Sequence, residues 1–117
     1  MDQTTRTKRG KAQSTSRPRK SRVVWVIARA VAQRGKEKQL RSLLRHMVAP
    51  IHEERGCLIY DLYESEKPGT FFFYELWASN LDLQRHASSS HFQRLLRALP
   101  AVAAGSIEVT LLNKLNL

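Results

Sequence analysis

The densest set of chemically capable side chains in this sequence runs from Phe71 to Phe92 and includes Phe73, Glu75, Trp77, His86 and His91. An imidazole with an ordinary value near ~6.5 takes up or releases a proton at neutral pH, which makes His86 the leading candidate base. Aromatic rings can enclose a ligand, and an indole N–H or a phenol O–H can orient it. Metal ligation is the other chemistry that histidines offer. His46, His52, His86 and His91, however, include no pair at the four-residue helical spacing, and no carboxylate joins them in a recognised ligand pattern. Cys57, the single cysteine, stands at a strand start with no base signal beside it, the setting of a structural thiol rather than a nucleophile. It leaves no intramolecular disulfide to form, which fits a cytoplasmic protein.

The elements that must position these groups are legible in the hydrophobic pattern. Residues 23–31 are β-branched, aromatic and small, apolar on both alternating sets except at Arg29, and predict a strand covered on both faces. Leu40, Leu43, Leu44, Met47, Val48 and Ile51 recur at three- and four-residue spacing with charged residues between them, predicting an amphipathic helix of roughly sixteen residues. Pro50 lies inside that pattern and should kink the last turn or end the helix early. Residues 57–63 and 70–77 read as two strands of a hairpin joined through Lys67, Pro68 and Gly69. Ser79 and Asp82 signal a helix start near Asn80, and Ser88, Ser89 and Ser90 break that helix. Phe92, Leu95, Leu96 and Leu99 mark a second helical run closed by Pro100 and Gly105, and residues 106–114 alternate as a fourth strand.

The resulting order of strand, helix, strand, strand, helix, strand predicts an α+β fold of the ferredoxin-like, split βαβ kind, with a four-stranded antiparallel sheet. Helices cover one face of such a sheet, yet the first three strands carry bulky apolar residues on both. The open face is therefore expected to pack against a second copy, giving a homodimer.

Composition bounds the rest. The chain carries a formal net charge of +10, but residues 1–22 hold eight basic residues against one acid, so +7 of that total lies there. That segment has almost no apolar residue and is expected to be a disordered basic tail ahead of a domain over residues 23–117. It is acid-poor and contains Arg and Ser, as organelle transit peptides do, but lacks their amphipathic apolar face. No apolar run approaches the ~20 residues of a membrane span. A basic tail without a stacking motif or a recognition helix is weak grounds for nucleic-acid binding, so neither a membrane nor a nucleic acid is an expected partner.

The run Phe73, Tyr74, Glu75, Leu76, Trp77, then Leu81 or Leu83, then His86, then His91 and Phe92, resembles the antibiotic biosynthesis monooxygenase domain family. Ile27, Ala28 and Arg29 at the end of the first strand, the helix start at Gly35 and Lys36, and the turn through Glu54, Arg55, Gly56 and Cys57 match it as well. The resemblance spans residues 23–114. It implies a dimeric α+β barrel with a pocket between sheet and helices. For several members it also implies oxidation of quinols or other electron-rich aromatics by O₂ without metal, flavin or haem. Haem-degrading relatives carry an Asn, a Trp and an iron-ligating His where this sequence has Ala30, His86 and Leu96, so no cofactor is expected. The same fold also serves isomerases and non-catalytic modules that bind small molecules, and these stand as the alternative functions.

Cofactor-free oxygenation needs an apolar enclosure, a base for a phenolic proton and donors for the resulting anion. His86 is assigned as the base, with an ordinary hydrogen-bonded helix histidine as the alternative. His91 either polarises a substrate oxygen or caps its helix, and Trp77 either walls the pocket or packs in the core. Glu75 shares a strand face with Phe73 and Trp77, where a hydrogen-bonding role is expected of it. Arg29 either pairs with Glu75 or holds an anionic substrate. Tyr60, Trp25 and Phe73 either line the cavity or pack.

Overall fold

The computed structural model describes residues 22–116, so the basic segment before Arg22 and the terminal Leu117 lie outside it. In chain order the elements are β1 (Val24–Val31), α1 (Glu37–His52), β2 (Cys57–Glu64), β3 (Thr70–Trp77), α2 (Asn80–Ala87), α3 (Ser90–Ala98) and β4 (Glu108–Leu112). A 3₁₀ turn at Leu99–Ala101 follows α3. The strands form an antiparallel sheet in the order β2-β3-β1-β4, which is the ferredoxin-like arrangement expected from the sequence.

Alternation assigns each strand's two faces. On the helix side β1 places Val26, Ala28 and Ala30, β3 places Phe71, Phe73, Glu75 and Trp77, and all seven are buried. α1 lays Leu40, Leu44, Met47 and Ile51 on that layer. Full burial of each such side chain stabilises the fold by roughly 1.5–3 kcal/mol. Trp25, Ile27 and Arg29 of β1 and Phe72, Tyr74 and Leu76 of β3 fall on the other face, where none is fully buried.

Two details differ from the pattern-based expectation. Pro50 does not end α1, which runs on to His52. Beyond it the backbone tightens: the N–H groups of Glu53 and Glu54 donate to the carbonyls of Pro50 and Ile51 at 3.2 and 3.0 Å, three residues back rather than four. Ile51 is fully buried, so tertiary packing carries the helix through the proline. β4 is shorter than residues 106–114; it is an edge strand paired only with β1, and every residue of it is exposed.

The break between α2 and α3 follows from serine hydroxyls. Ser88 Oγ donates back to the carbonyls of Gln84 and Arg85, while Ser89 Oγ accepts from the Phe92 N–H and so caps α3. At the start of α2, Ser79 Oγ accepts from the Asp82 N–H at 3.1 Å, the start signal read from the sequence. Gly56 enters β2 with φ +78, and a Cβ there would lie 2.2 Å from the Asp82 carboxyl. Only glycine fits both the backbone conformation and that close approach, which seats the first turn of α2 against the start of the hairpin.

Candidate active site

Between the helix-side face of the sheet and helices α2 and α3 lies a cavity of about 240 Å³. Its walls are apolar or aromatic except for Tyr60, Glu75 and His86. Strand register brings the first two together, since Tyr60 on β2 is paired directly with Glu75 on β3. The Tyr60 ring stacks on Phe73 at 4.7 Å, and its burial raises the phenol well above its ordinary value, so the hydroxyl keeps its proton and can act as a donor.

Glu75 is 4% exposed. One of its oxygens accepts the indole N–H of Trp77 at 2.9 Å, and no partner for the other is found among the described residues. Burial pushes this carboxyl up to about 7, partly opposed by the Trp77 bond and reinforced by the charge of Glu54. Near neutral pH it is therefore poised between a donating acid and an accepting carboxylate.

His86 comes from α2 and is 5% exposed. Its ring stacks on Trp77 at 4.7 Å, lies 4.7 Å from Phe92, and meets Tyr60 edge-on at 5.8 Å. Its Nδ1 lies 2.8 Å from Oε1 of Glu54. Burial holds the imidazole below its ordinary value, while Glu54 opposes that effect without cancelling it. The ring is then neutral at pH 7, and donation of Nδ1–H to Glu54 leaves the lone pair on Nε2. The arrangement is a carboxylate-backed imidazole, the form of a general base.

Of the residues singled out in the sequence, Tyr60, Phe73, Glu75 and His86 meet at this cavity. Trp77 is fully buried behind it, acting on the cavity through Glu75 and His86 rather than as a wall. His91 turns away: its Nε2 bonds to the second oxygen of Glu54, and the ring borders a groove between α1 and α3. It does not cap α3 either, because Ser89 does. Arg29 forms no pair with Glu75, which faces the opposite side of the sheet; it meets Glu108 at 3.3 Å, an exposed pair of little energetic weight. Trp25 likewise lies on the open face, beside Tyr74 at 5.8 Å and under the Lys114 ammonium at 5.7 Å. Burial pushes the Cys57 thiol up to about 11, so it is protonated and unreactive at neutral pH.

Glu54 is the residue that reading the sequence missed as a functional group. Its signal was present: Glu53 and Glu54 place two acids at the C-terminal end of α1, where the helix dipole disfavours negative charge. For Glu54, two histidine partners offset that cost.

Known proteins resemble this chain in sequence and in fold. The sequence profile of the antibiotic biosynthesis monooxygenase family matches residues 23–98. Rv0793 of Mycobacterium tuberculosis, which carries a provisional monooxygenase name, is 33% identical over 93 residues, covering 80% of this chain and 92% of the relative. The solved structure of Rv0793 superposes with a TM-score of 0.75 over 81% of this chain and 97% of that one. PA3566 of Pseudomonas aeruginosa, 31% identical, superposes with a TM-score of 0.77 over 85% of this chain and 100% of that one. No helix among the described residues is long and apolar enough to cross a membrane.

Proposed function

The chain belongs to the antibiotic biosynthesis monooxygenase family, and from that premise we propose that it is a cofactor-independent monooxygenase oxidising a quinol, polyphenol or similar electron-rich aromatic with O₂. The observation that carries this reading is His86: a buried, neutral imidazole backed by Glu54, with Nε2 unpartnered among the described residues, in the wall of a mostly apolar cavity.

The chemistry runs on the substrate's own electrons. A phenolic O–H transfers its proton to His86 Nε2, and the resulting anion is a far better electron donor than the neutral phenol. Tyr60 O–H and the protonated form of Glu75 are the donors available to hold that anion. Electron transfer from the anion to O₂, recombination at a ring carbon and loss of water complete the reaction: a hydroquinone and O₂ give a hydroxyquinone and water. One oxygen atom ends on the ring and the other leaves as water. The apolar walls keep bulk water from protonating the anion again.

The cavity also limits the substrate. At about 240 Å³ it falls below the roughly 300–1,000 Å³ of sites for drug-sized ligands, which suits a one- or two-ring molecule. It offers no cationic side chain to an anionic substrate, so a neutral phenol is favoured.

A homodimer through the open sheet face belongs to the same reading. Trp25, Ile27, Phe72, Tyr74 and Leu76 form an apolar and aromatic surface there that a second copy would remove from water. The basic segment of residues 1–22 is read as lying outside this machinery. Labelling with ¹⁸O₂ tests the proposed reaction directly: one labelled atom in the ring product supports monooxygenation, while hydrogen peroxide with an unlabelled quinone would assign a simple oxidase instead.

A further inference from the structure

His86 and His91 share one carboxylate. Glu54 holds the Nδ1 of His86 through Oε1 and the Nε2 of His91 through Oε2, so two imidazoles 32 and 37 residues distant in sequence bond to opposite oxygens of the same group. Their other edges meet different surroundings. His86 borders the cavity, whereas His91, with its side chain 22% exposed, borders a separate groove of about 630 Å³ between α1 and α3.

We propose that His86, Glu54 and His91 act as one proton-holding unit, in which uptake of the substrate's proton by His86 drives release of a different proton from His91 into the groove between α1 and α3. This rests on the monooxygenase reading for the identity of the proton donor; the coupling itself rests on the shared carboxylate. Two imidazolium rings on one carboxylate repel each other, and in a partly dehydrated site that repulsion is stronger than in water. The unit therefore holds one excess proton more readily than two. In the proposed unit that proton starts on His91, whose side chain is 22% exposed against 5% for His86.

When the phenol O–H breaks and Nε2–H forms on His86, the charge appears on the cavity side. The N–H of His91 that faces the groove then breaks, and water takes its proton. The phenol has lost one proton, His86 has gained one, His91 has lost one, and no electron moves in this step. With His91 neutral, His86 keeps its new proton more firmly, and the anion persists to meet O₂. His91 is thus a positioning residue that acts through Glu54. The other titratable groups lining the cavity with His86 are Tyr60 of β2 and Glu75 of β3, and Asp82 and Arg85 lie on its own helix; the groove that His91 borders is also lined by His46 of α1 and by Arg94 and Arg97 of α3.

Nitrogen-15 NMR titration of the histidines in the full chain, without substrate, tests the coupling whether or not oxygen uptake supports the functional reading. Coupled rings each show two inflections at shared midpoints separated by at least about one pH unit. His91→Gln keeps an amide donor for Glu54, and is expected to leave His86 with a single inflection at a higher midpoint. Single, independent inflections in the unaltered protein would overturn the proposal, as would a His86 curve unmoved in the variant. The unaltered protein decides by itself should the variant fold poorly.

Discussion

Replacing Glu75 with glutamine tests the electrostatics of the cavity through stability alone. The folded protein holds this carboxyl at about 7 against an ordinary 4.5. An acid whose value is raised by folding keeps its proton longer in the native state than in the unfolded chain. Between pH 4.5 and 7 the native state thus binds more protons, and stability falls as pH rises through that window. At about 1.4 kcal/mol per pH unit, the full difference amounts to about 3 kcal/mol lost by pH 8. Glutamine cannot ionise, yet its carbonyl still accepts the Trp77 indole N–H. The assay is urea unfolding of both proteins at fixed concentration from pH 4 to 8.5. His86, whose value is lowered by folding, adds stability above its unfolded value that is lost on acidification, but it does so in both proteins and cancels in the difference. The stability of Glu75→Gln relative to the unaltered protein should rise by about 3 kcal/mol between pH 4.5 and 8. Parallel curves would mean that Glu75 ionises freely in the folded state.

Gly56→Ala places a Cβ against the Asp82 carboxyl in a left-handed backbone position, so it should cost at least about 1–3 kcal/mol, read as a lower urea midpoint; an unchanged midpoint would show that the turn and α2 relax freely. Tyr74→Asp puts a charge at the centre of the open sheet face, and sedimentation should show two chains per particle before the change and one after it. A single chain in both would show that the open face does not pair two copies. Since His86 must be neutral to accept a proton, turnover should fall on acidification through a midpoint below the ordinary ~6.5, and a limb well above that value would assign the base elsewhere.

The elements were legible because each is written in local periodicity. The three- and four-residue spacing of Leu40, Leu44, Met47 and Ile51 marks α1, and the alternation through Phe71, Phe73, Glu75 and Trp77 marks one face of β3. That alternation also predicted correctly that Glu75 and Trp77 sit side by side. Period two, however, does not say which face the helices cover when both are apolar. β1 reads equally well either way, and only its pairing with β3, with Val26 opposite Glu75 and Arg29 opposite Phe72, sends Arg29 and Trp25 away from the cavity. Glu54 was hidden for a similar reason. Its partners on α2 and α3 are long-range contacts, and the remaining local trace was an acid at an unfavourable helix end. The proline does not end α1 because its backbone cost is local, whereas the burial of Ile51 that offsets it is tertiary.

An oxygen electrode shows whether His86 is the base of a cofactor-free oxygenation. Metal-stripped protein is supplied with one- and two-ring hydroquinones in the presence of chelator, with His86→Gln measured alongside. Uptake should survive chelation and fall by about a hundredfold or more in the variant. Equal rates in the two proteins would remove His86 from the chemistry, and no uptake by the unaltered protein on any such substrate would contradict the oxygenase reading itself.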